Sequence, residues 1–451
     1  MKIIVDHKIP FIQGALDKVA DVRYLPANQI SQADIQDADA LIIRTRTRCT
    51  RDLLDNSSVK FIATATIGYD HIDTDYCDAA GIAWTNAPGC NSSSVEQYIV
   101  SALLHLAVMR RFQLKEKTVG IVGVGNVGSK IERVAKVLGC RVLLNDPPRE
   151  AAEGKGAFTE LGTLLREADI VTMHVPLIGS GMYKTDAMAD GQFFGQMKEG
   201  AVFINTSRGE VVDEGALKRA IVSGKIADAV LDVFRNEPDI DQELVSMLTI
   251  ATPHIAGYST DGKANGTMMS VRAVSRFFGL GLDDWEPEGV PLPAEREIFV
   301  DGEDSAELEI ISDAHGQTYR IMDDHKALVA GSADDSKSNG DPKKRKVADG
   351  ESPMADSDGN INIDSDSDKR AEQNKEALVD GSGNNDRYSE NGKEQNRMTN
   401  LVDPERFESL RGGYRVRREP SVYSVKLFND DGKYRKIFEG LGFNVLGDSC
   451  F

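Results

Sequence analysis

A chain of 451 residues with 40% hydrophobic content is long enough for about three domains and a sizeable core. A formal net charge of −19 argues against general nucleic-acid binding, and no run of about 18 apolar residues exists to cross a membrane. The five cysteines are odd in number and form no CxxC pair, which argues against a disulfide framework or a zinc site and suits a reducing cytoplasm.

The N-terminus, MKIIVDHKIP, is charged too early for a signal peptide and reads as a first strand. KIIVD, ALIIR and KFIATA are short apolar runs separated by helical stretches, the pattern of a parallel sheet with helices on its faces. SVEQYIVSALLHLAVMRRF (94–112) has helical apolar spacing and predicts a long helix joining two domains. A second βα series follows in TVGIVGVG, RVLLND, DIVTMHVP, AVFINTS and AVLDV, with VGSKIERVAKVLG and EGALKRAIVSG as helices between strands. KANGTMMSVRAVSRFFGLG predicts a helix that carries the chain back to the first domain. From about residue 287, LPAEREIFVDG and AELEIISDAHGQTYRIMDDHKAL read as strand and helix of a third, small α/β domain. Residues 331–398 are nearly free of Ile, Leu, Val, Phe, Trp and Tyr, bury too little to offset chain entropy, and are expected to be disordered. The PKKRKV run inside this acidic insert has the look of a nuclear import signal but reads as chance clustering in a Lys- and Asp-rich linker. PERFESLRGGYRVRRE, YSVKLF and KYRKIFEGLGFNVLG then resume order.

Four stretches carry chemistry. In TVGIVGVGNVGSKI, Gly123, Gly125 and Gly128 follow a strand and open a helix. Gly123 allows the tight turn, Gly125 lets the backbone approach a pyrophosphate, and Gly128 lets the helix pack closely. The helix N-terminus then faces the phosphate charge. Eighteen residues on, Asp146 ends the strand RVLLND. A carboxylate there accepts from the ribose hydroxyls and repels an added phosphate, which favours NAD over NADP, although Arg149 is close. In VFINTSRGEVVDEGAL a strand ends at Asn205, Thr206 and Ser207 and presents Arg208 at the ligand crevice. Its guanidinium can grip a carboxylate or polarise a carbonyl; it can also be a surface arginine starting a helix. In AVLDVFRNEPDI, Asp232 ends a strand and Glu237 follows in the loop. In TPHIAGYSTDGKANG, His254 stands at another strand end, as a proton carrier or as a core histidine. A Glu and a His at successive strand ends can meet in space, an arrangement for moving a proton at a carbonyl oxygen.

In order and spacing these motifs resemble the D-isomer-specific 2-hydroxyacid dehydrogenase superfamily across about residues 1–285. The resemblance implies that Arg208 binds and polarises substrate, that His254 is the acid/base, and that Glu237 supports it. KFIATATIGYDHID, APGCNSSSVEQYI, NDPPR, TPHIAGYSTDGKANGT, FESLRGGYRVRRE and LGFNV narrow it to the erythronate-4-phosphate dehydrogenase family. That implies NAD-dependent oxidation of 4-phospho-D-erythronate at C2 in vitamin B6 synthesis. The alternatives are a sibling enzyme on phosphoglycerate or hydroxypyruvate, and an NAD-sensing binding protein. By the same resemblance Thr45, Thr66 and Tyr258 contact substrate. Asn126, Val127, Val175, Thr206, Ser207, Asp232 and Gly257 line the cofactor site.

The expected fold is α/β: two Rossmann-like doubly wound parallel-sheet domains plus a small C-terminal α/β dimerisation domain interrupted by the insert. The substrate domain takes 1–93, completed by 256–286; the NAD domain takes 94–255; the C-terminal domain takes 287–330 and 399–451. A cytoplasmic homodimer with no metal, membrane or nucleic-acid partner is expected. The insert has no counterpart in the family pattern, and Pro420 stands where the family has an aromatic residue, which questions one strand start. A phosphorylated four-carbon acid is anionic at both ends, and Arg208 serves one. Arg44, with Arg46, Thr45 and Thr47, ends the strand ALIIR and is the candidate for the phosphate; Arg417 or Arg418 of a partner subunit is the other.

Overall fold

The computed structural model describes residues 1–302, 306–329, 402–414, 417–430 and 432–446. The expectations for 331–398, including the PKKRKV run, lie outside the described residues.

The first sheet contains β1 (Lys2–Asp6), β2 (Asp21–Leu25), β3 (Ala40–Ile43), β4 (Phe61–Thr64) and β5 (Ala83–Thr85). All pairs are parallel, in the order β2-β1-β3-β4-β5. The three central strands are apolar on both faces because both faces are covered. Ile4, Leu41, Ile43 and Ile62 pack with Ile35, Leu54 and Cys77 from short helices on one side. Ile3, Val5, Ile42 and Ala63 face the other side, where Val271 and Val274 of the helix Thr260–Phe278 close the core. Phe277 of that helix stacks on Phe61 at 4.5 Å between ring centroids. The helix Thr260–Phe278 thus packs on the first sheet although it follows the second in the chain.

The second sheet contains β6 (Thr118–Val122), β7 (Arg141–Asn145), β8 (Ile170–Met173), β9 (Ala201–Asn205), β10 (Ile226–Leu231) and β11 (Ile250–Ala251). It is parallel throughout, in the order β11-β10-β9-β8-β6-β7, with one more parallel bridge from Leu144 to Phe158 outside β7. Strand order reverses between β6 and β8, which opens a crevice at their carboxyl ends. The helix Ser92–Arg110 links the two sheets. It is buried on nearly every side, with Tyr98 and Leu103 against Ile121 and Ile204. On the opposite face Phe203 meets Phe194 and Phe193 edge-on at 5.1 and 6.2 Å.

The third sheet, β12 (Glu297–Asp301), β13 (Ser424–Phe428) and β14 (Asn444–Leu446), is parallel and ordered β12-β13-β14. Its inward Ile298, Val300, Val425 and Leu427 join the same core as Tyr98 and Ile121, so this sheet shares the second sheet's packing. The stretch 306–328 is divided into two helices, Glu307–Gly316 and Ile321–Val329. Leu328 of the latter and Phe407 of the helix Pro404–Gly412 pack into the core around Phe203. Pro420 opens a 3₁₀ turn, Pro420–Val422, ahead of β13. Its missing N–H is harmless there, and the ladder begins only at Ser424. Among the described residues no helix is long and apolar enough to cross a membrane.

Phe203→Ala should destabilise the fold by about 3–5 kcal/mol, because two rings, Phe193 and Phe194, lose a common partner in a core that cannot fully collapse. Chemical denaturation of wild type and variant measures it; a loss below about 1 kcal/mol would mean that this face is loosely packed.

Candidate active site

The glycine loop follows β6. Gly123 has a φ of 88°, and a Cβ there would stand 2.6 Å from the His174 carbonyl oxygen. A Cβ on Gly128 would stand 2.0 Å from the Gly123 carbonyl, so the helix Gly128–Val137 starts hard against the turn. A Cβ on Gly125 would meet nothing within 4 Å. The loop is closed where the chain touches itself and open where a ligand would approach, which fits a pyrophosphate at the helix N-terminus. Asn126 and Val127 complete this loop, and the Asn126 side chain lies against Gly89.

Asp146 is half-buried after β7. It accepts from the Val124 amide at 2.8 Å and caps its own helix through the Arg149 amide at 3.1 Å, which ties the glycine loop to β7. The Arg149 guanidinium donates to the Val124 carbonyl and pairs with Glu153. Val175 lies half-buried after β8, and Thr206 approaches His174 Nδ1 at 3.4 Å.

Arg208, Glu237 and His254 follow β9, β10 and β11, three neighbouring strands whose ends lie in register. Asn205 organises the first of these loops. Its Oδ1 accepts from the Ser207 amide and hydroxyl, and its Nδ2 donates to the Arg208 carbonyl. The Arg208 guanidinium, held to the Ser207 carbonyl, reaches across to the loop after β4, with Nη2 3.5 Å from Asp70 Oδ2. Thr66 stands in that loop and donates to the Gly68 carbonyl.

His254 Nδ1 lies 2.7 Å from Glu237 Oε2. With Nδ1 so engaged, Nε2 is the ring nitrogen left for a ligand. Glu237 Oε1 accepts from the Phe234 amide at 2.9 Å, and Arg411 Nη1 stands 3.8 Å from Oε2. Burial alone would raise the Glu237 carboxyl; His254, the Phe234 amide and Arg411 outweigh it and hold it below the ordinary range. His254 has a left-handed φ of 55°, a conformation that costs a non-glycine residue about 1–3 kcal/mol and concentrates at working sites.

Asp232 is what imposes that conformation. It is 1% exposed, and its oxygens accept from the Thr252 hydroxyl and the Ile255 and Ala256 amides at 2.6, 2.8 and 2.9 Å. Burial pushes this carboxyl up to about 6; His254 and the three donors oppose the rise. Asp232 thus shapes the site through the loop it clamps, with almost no surface of its own. Gly257, next in that loop, packs against the Asn91 side chain.

The Tyr258 hydroxyl accepts from Arg411 Nε at 3.2 Å, and Lys263 Nζ lies 4.9 Å from the centre of its ring. Arg44 donates to the Lys8 carbonyl at 2.7 Å, Thr45 is exposed beside it, and Arg46 pairs with Glu408. Arg417 and Arg418 are buried in their own chain, at 3% and 7% exposure, against Ser94 and Ala256 and against Asp261. They are therefore not available as donors from a partner subunit. Asn205, Asp70, Lys263 and Arg411 were not singled out by the sequence reading. Asn205 sat inside a quoted strand end, but the others meet the site only through the fold.

The family model for the D-isomer specific 2-hydroxyacid dehydrogenase NAD-binding domain matches residues 99–256. The erythronate-4-phosphate dehydrogenase of Bacteroides fragilis is 58% identical over 284 residues, covering 63% of this chain and 82% of that protein. The chain belongs to the erythronate-4-phosphate dehydrogenase family. The Porphyromonas gingivalis member is 44% identical over 281 residues, covering 62% and 76%. Among solved structures, D-lactate dehydrogenase from Aquifex aeolicus, complexed with NAD and lactic acid, aligns with a TM-score of 0.52 and 27% identity, covering 63% of this chain and 97% of that one. Like others of its superfamily, this erythronate-4-phosphate dehydrogenase family member is an NAD-dependent dehydrogenase.

Because the Glu237 pKa is depressed in the folded state, its contribution to stability is fully present above the unfolded value, about 4.3. It is lost as the pH falls through the folded value. Glu237→Gln should therefore flatten the melting-temperature curve on the acid side of pH 4.3. An acid limb as steep as the wild type's would show that other carboxylates set it.

Proposed function

We propose that the chain oxidises 4-phospho-D-erythronate at C2 to 2-oxo-3-hydroxy-4-phosphobutanoate, a step in the synthesis of pyridoxal 5′-phosphate. The observation that carries this reading is the 2.7 Å contact between His254 and Glu237 at the crevice rim, beside Arg208 and the glycine loop. NAD, when bound, accepts the hydride from C2. Gly123, Gly125, Asn126, Val127 and Gly128 form the bed for its pyrophosphate, Asp146 takes the ribose hydroxyls, and Val175, Thr206, Ser207 and Gly257 line the remaining wall. Arg208 grips the substrate carboxylate and draws electron density from the forming carbonyl. His254 Nε2 takes the C2 hydroxyl proton, and Glu237 stabilises the imidazolium that results. Thr66 and Tyr258 flank the substrate, with Thr45 at the entrance. The names of the relatives support this substrate over phosphoglycerate or hydroxypyruvate.

The same reading takes the protein as a cytoplasmic homodimer. Four buried, unpaired cysteines, Cys49, Cys77, Cys90 and Cys140, suit a reducing compartment. The open face of the third sheet supports pairing with a second copy: Phe299, Phe428 and Leu446 all point outward, at 59%, 43% and 41% exposure. Phe299 and Phe428 stack at 6.2 Å, and Leu446 lies beyond Lys426 in the same register row. Phe299→Asp with Phe428→Asp should turn the dimer into a monomer by light scattering; a wild-type monomer would refute the pairing.

Turnover of 4-phosphoerythronate beside 3-phosphoglycerate and D-glycerate tests the substrate. His254→Ala should lower kcat about 10²- to 10⁴-fold, with NADH affinity near normal, because the histidine acts on the hydroxyl proton and not on the dinucleotide. A loss of NADH binding as large as the loss of rate would contradict the role.

A further inference from the structure

The helix Thr260–Phe278 turns Lys263 toward the site in its first turns, and the side chain is half-buried over the Tyr258 ring. Among the described residues no carboxylate lies within ion-pairing distance of its ammonium. Arg44, at the end of β3, is likewise without a carboxylate partner and is held through the Lys8 carbonyl. Arg44 and the helix that carries Lys263 both bond to one loop, that after β1. Arg44 bonds Lys8 in it, and Thr267, one turn beyond Lys263, donates to the Pro10 carbonyl at 2.7 Å. This loop sits where strand order in the first sheet reverses between β1 and β3, at the carboxyl ends, where an open parallel sheet offers a crevice.

A partly buried ammonium ordinarily finds a carboxylate. Here the opposite holds: burial lowers the Lys263 pKa, and the charges acting on it, Arg44 and Arg417, lower it further. Other cations of the fold have carboxylate partners, as Arg418 has Asp261 and Lys218 has Asp241 and Glu243, while the buried Arg417 is held by Ser94 and the Ala256 carbonyl. An unmatched pair of cations beside a substrate crevice is an energetic cost that an anionic ligand removes.

We propose that Lys263 and Arg44 form the subsite for the terminal phosphate of the substrate, with Tyr258 between this subsite and the His254–Glu237 pair. The assignment rests on the substrate reading above. The geometry connects the two ends of the site: Glu237 to Arg411, Arg411 to the Tyr258 hydroxyl, and the Tyr258 ring to Lys263. Arg208 after β9 and the Lys263–Arg44 pair beside the first sheet then meet the two charged ends of one short acid. Lys263 becomes a specificity-determining residue. A 2-hydroxy acid without a second anion leaves the cation pair unmatched.

The test has two arms. In the first, inorganic phosphate is titrated into NADH-loaded wild type, Lys263→Met and Arg44→Ala, by calorimetry. Lys263→Met keeps the apolar stem on the Tyr258 ring and removes the charge; Lys263→Arg is the conservative control. Phosphate affinity should fall about 10- to 100-fold in Lys263→Met and Arg44→Ala, the size of a charge-assisted hydrogen bond, and be largely kept in Lys263→Arg. Affinity equal to wild type in folded Lys263→Met and Arg44→Ala overturns the subsite, whatever the substrate is. In the second arm, kcat/KM is measured on 4-phosphoerythronate and on erythronate. The variants should lose about 10- to 100-fold on the former, mainly through KM, and much less on the latter. Equal losses on both acids also overturn the subsite. Wild type that does not prefer the phosphorylated acid refutes the substrate reading instead, and the phosphate titration still decides the subsite by itself.

Discussion

One buried carboxylate holds the working end of the second sheet together. Asp232 is out of water, so its charge must be met by fixed donors, and all three come from the short loop between Thr252 and Ala256. The His254 amide also binds the Asp232 carbonyl, at 2.8 Å. A loop bonded at both backbone and side chain has no freedom to relax, which is how His254 is kept in a left-handed conformation. The clamp extends inward as well, since the Tyr98 hydroxyl meets Thr252 Oγ1 at 2.7 Å. The linking helix, the strand end and the ring that faces Glu237 are therefore one hydrogen-bonded unit.

The C-terminal segment is sewn to the same region. Arg417 reaches Ser94 and the Ala256 carbonyl, and its guanidinium lies 4.4 Å from the centre of the Tyr319 ring. Its own carbonyl accepts from the Thr260 amide, Arg418 pairs with Asp261, and Glu419 accepts from Ser259. Burial pushes the Glu419 carboxyl up to about 7. These contacts bracket residues 255–261, where the chain leaves the second sheet to return to the first. Arg411 brings the segment to the candidate site itself. It lies against Glu237 and Glu408 and steadies the Tyr258 hydroxyl, so a residue far along the chain tunes the carboxylate behind His254.

Much of this was legible in the sequence where a local pattern is enough. Central strands such as ALII and AVFIN are apolar on both faces and announce themselves; β2 and β5, half-exposed edges of mixed composition, did not. The glycine loop, Asp146, Arg208, Glu237 and His254 are candidates from the sequence because strand ends collect ligands in open parallel sheets, and all of them follow strands of the second sheet. The returning helix, expected over 263–281, begins only three residues earlier, at Thr260, and ends at Phe278. What the sequence hid depends on long-range pairing. Nothing local in FESLRGG says that Arg411 meets Glu237, and nothing in STDGKANG says that Lys263 lacks a carboxylate. The two-helix form of 306–328 was missed because its apolar spacing runs on through the break after Gly316. Arg417 and Arg418 look like a surface charge run, and only the packed structure turns them inward.

The split first sheet has a consequence for how the chain acquires its shape. Ile3, Val5, Ile42 and Ala63 are made early, but Val271 and Val274, which cover them, lie some 200 residues downstream. During synthesis that face of the sheet lacks its helical cover until residue 278 has left the ribosome, and the second sheet, whose core takes in Leu328, Phe407 and Phe438, is covered later still. Contacts of such wide separation slow folding and leave the early strands open to wrong partners in the meantime. A stop anywhere before the helix Thr260–Phe278 thus yields a fragment in which the N-terminal sheet lacks the cover of Val271 and Val274, an aggregation-prone apolar face.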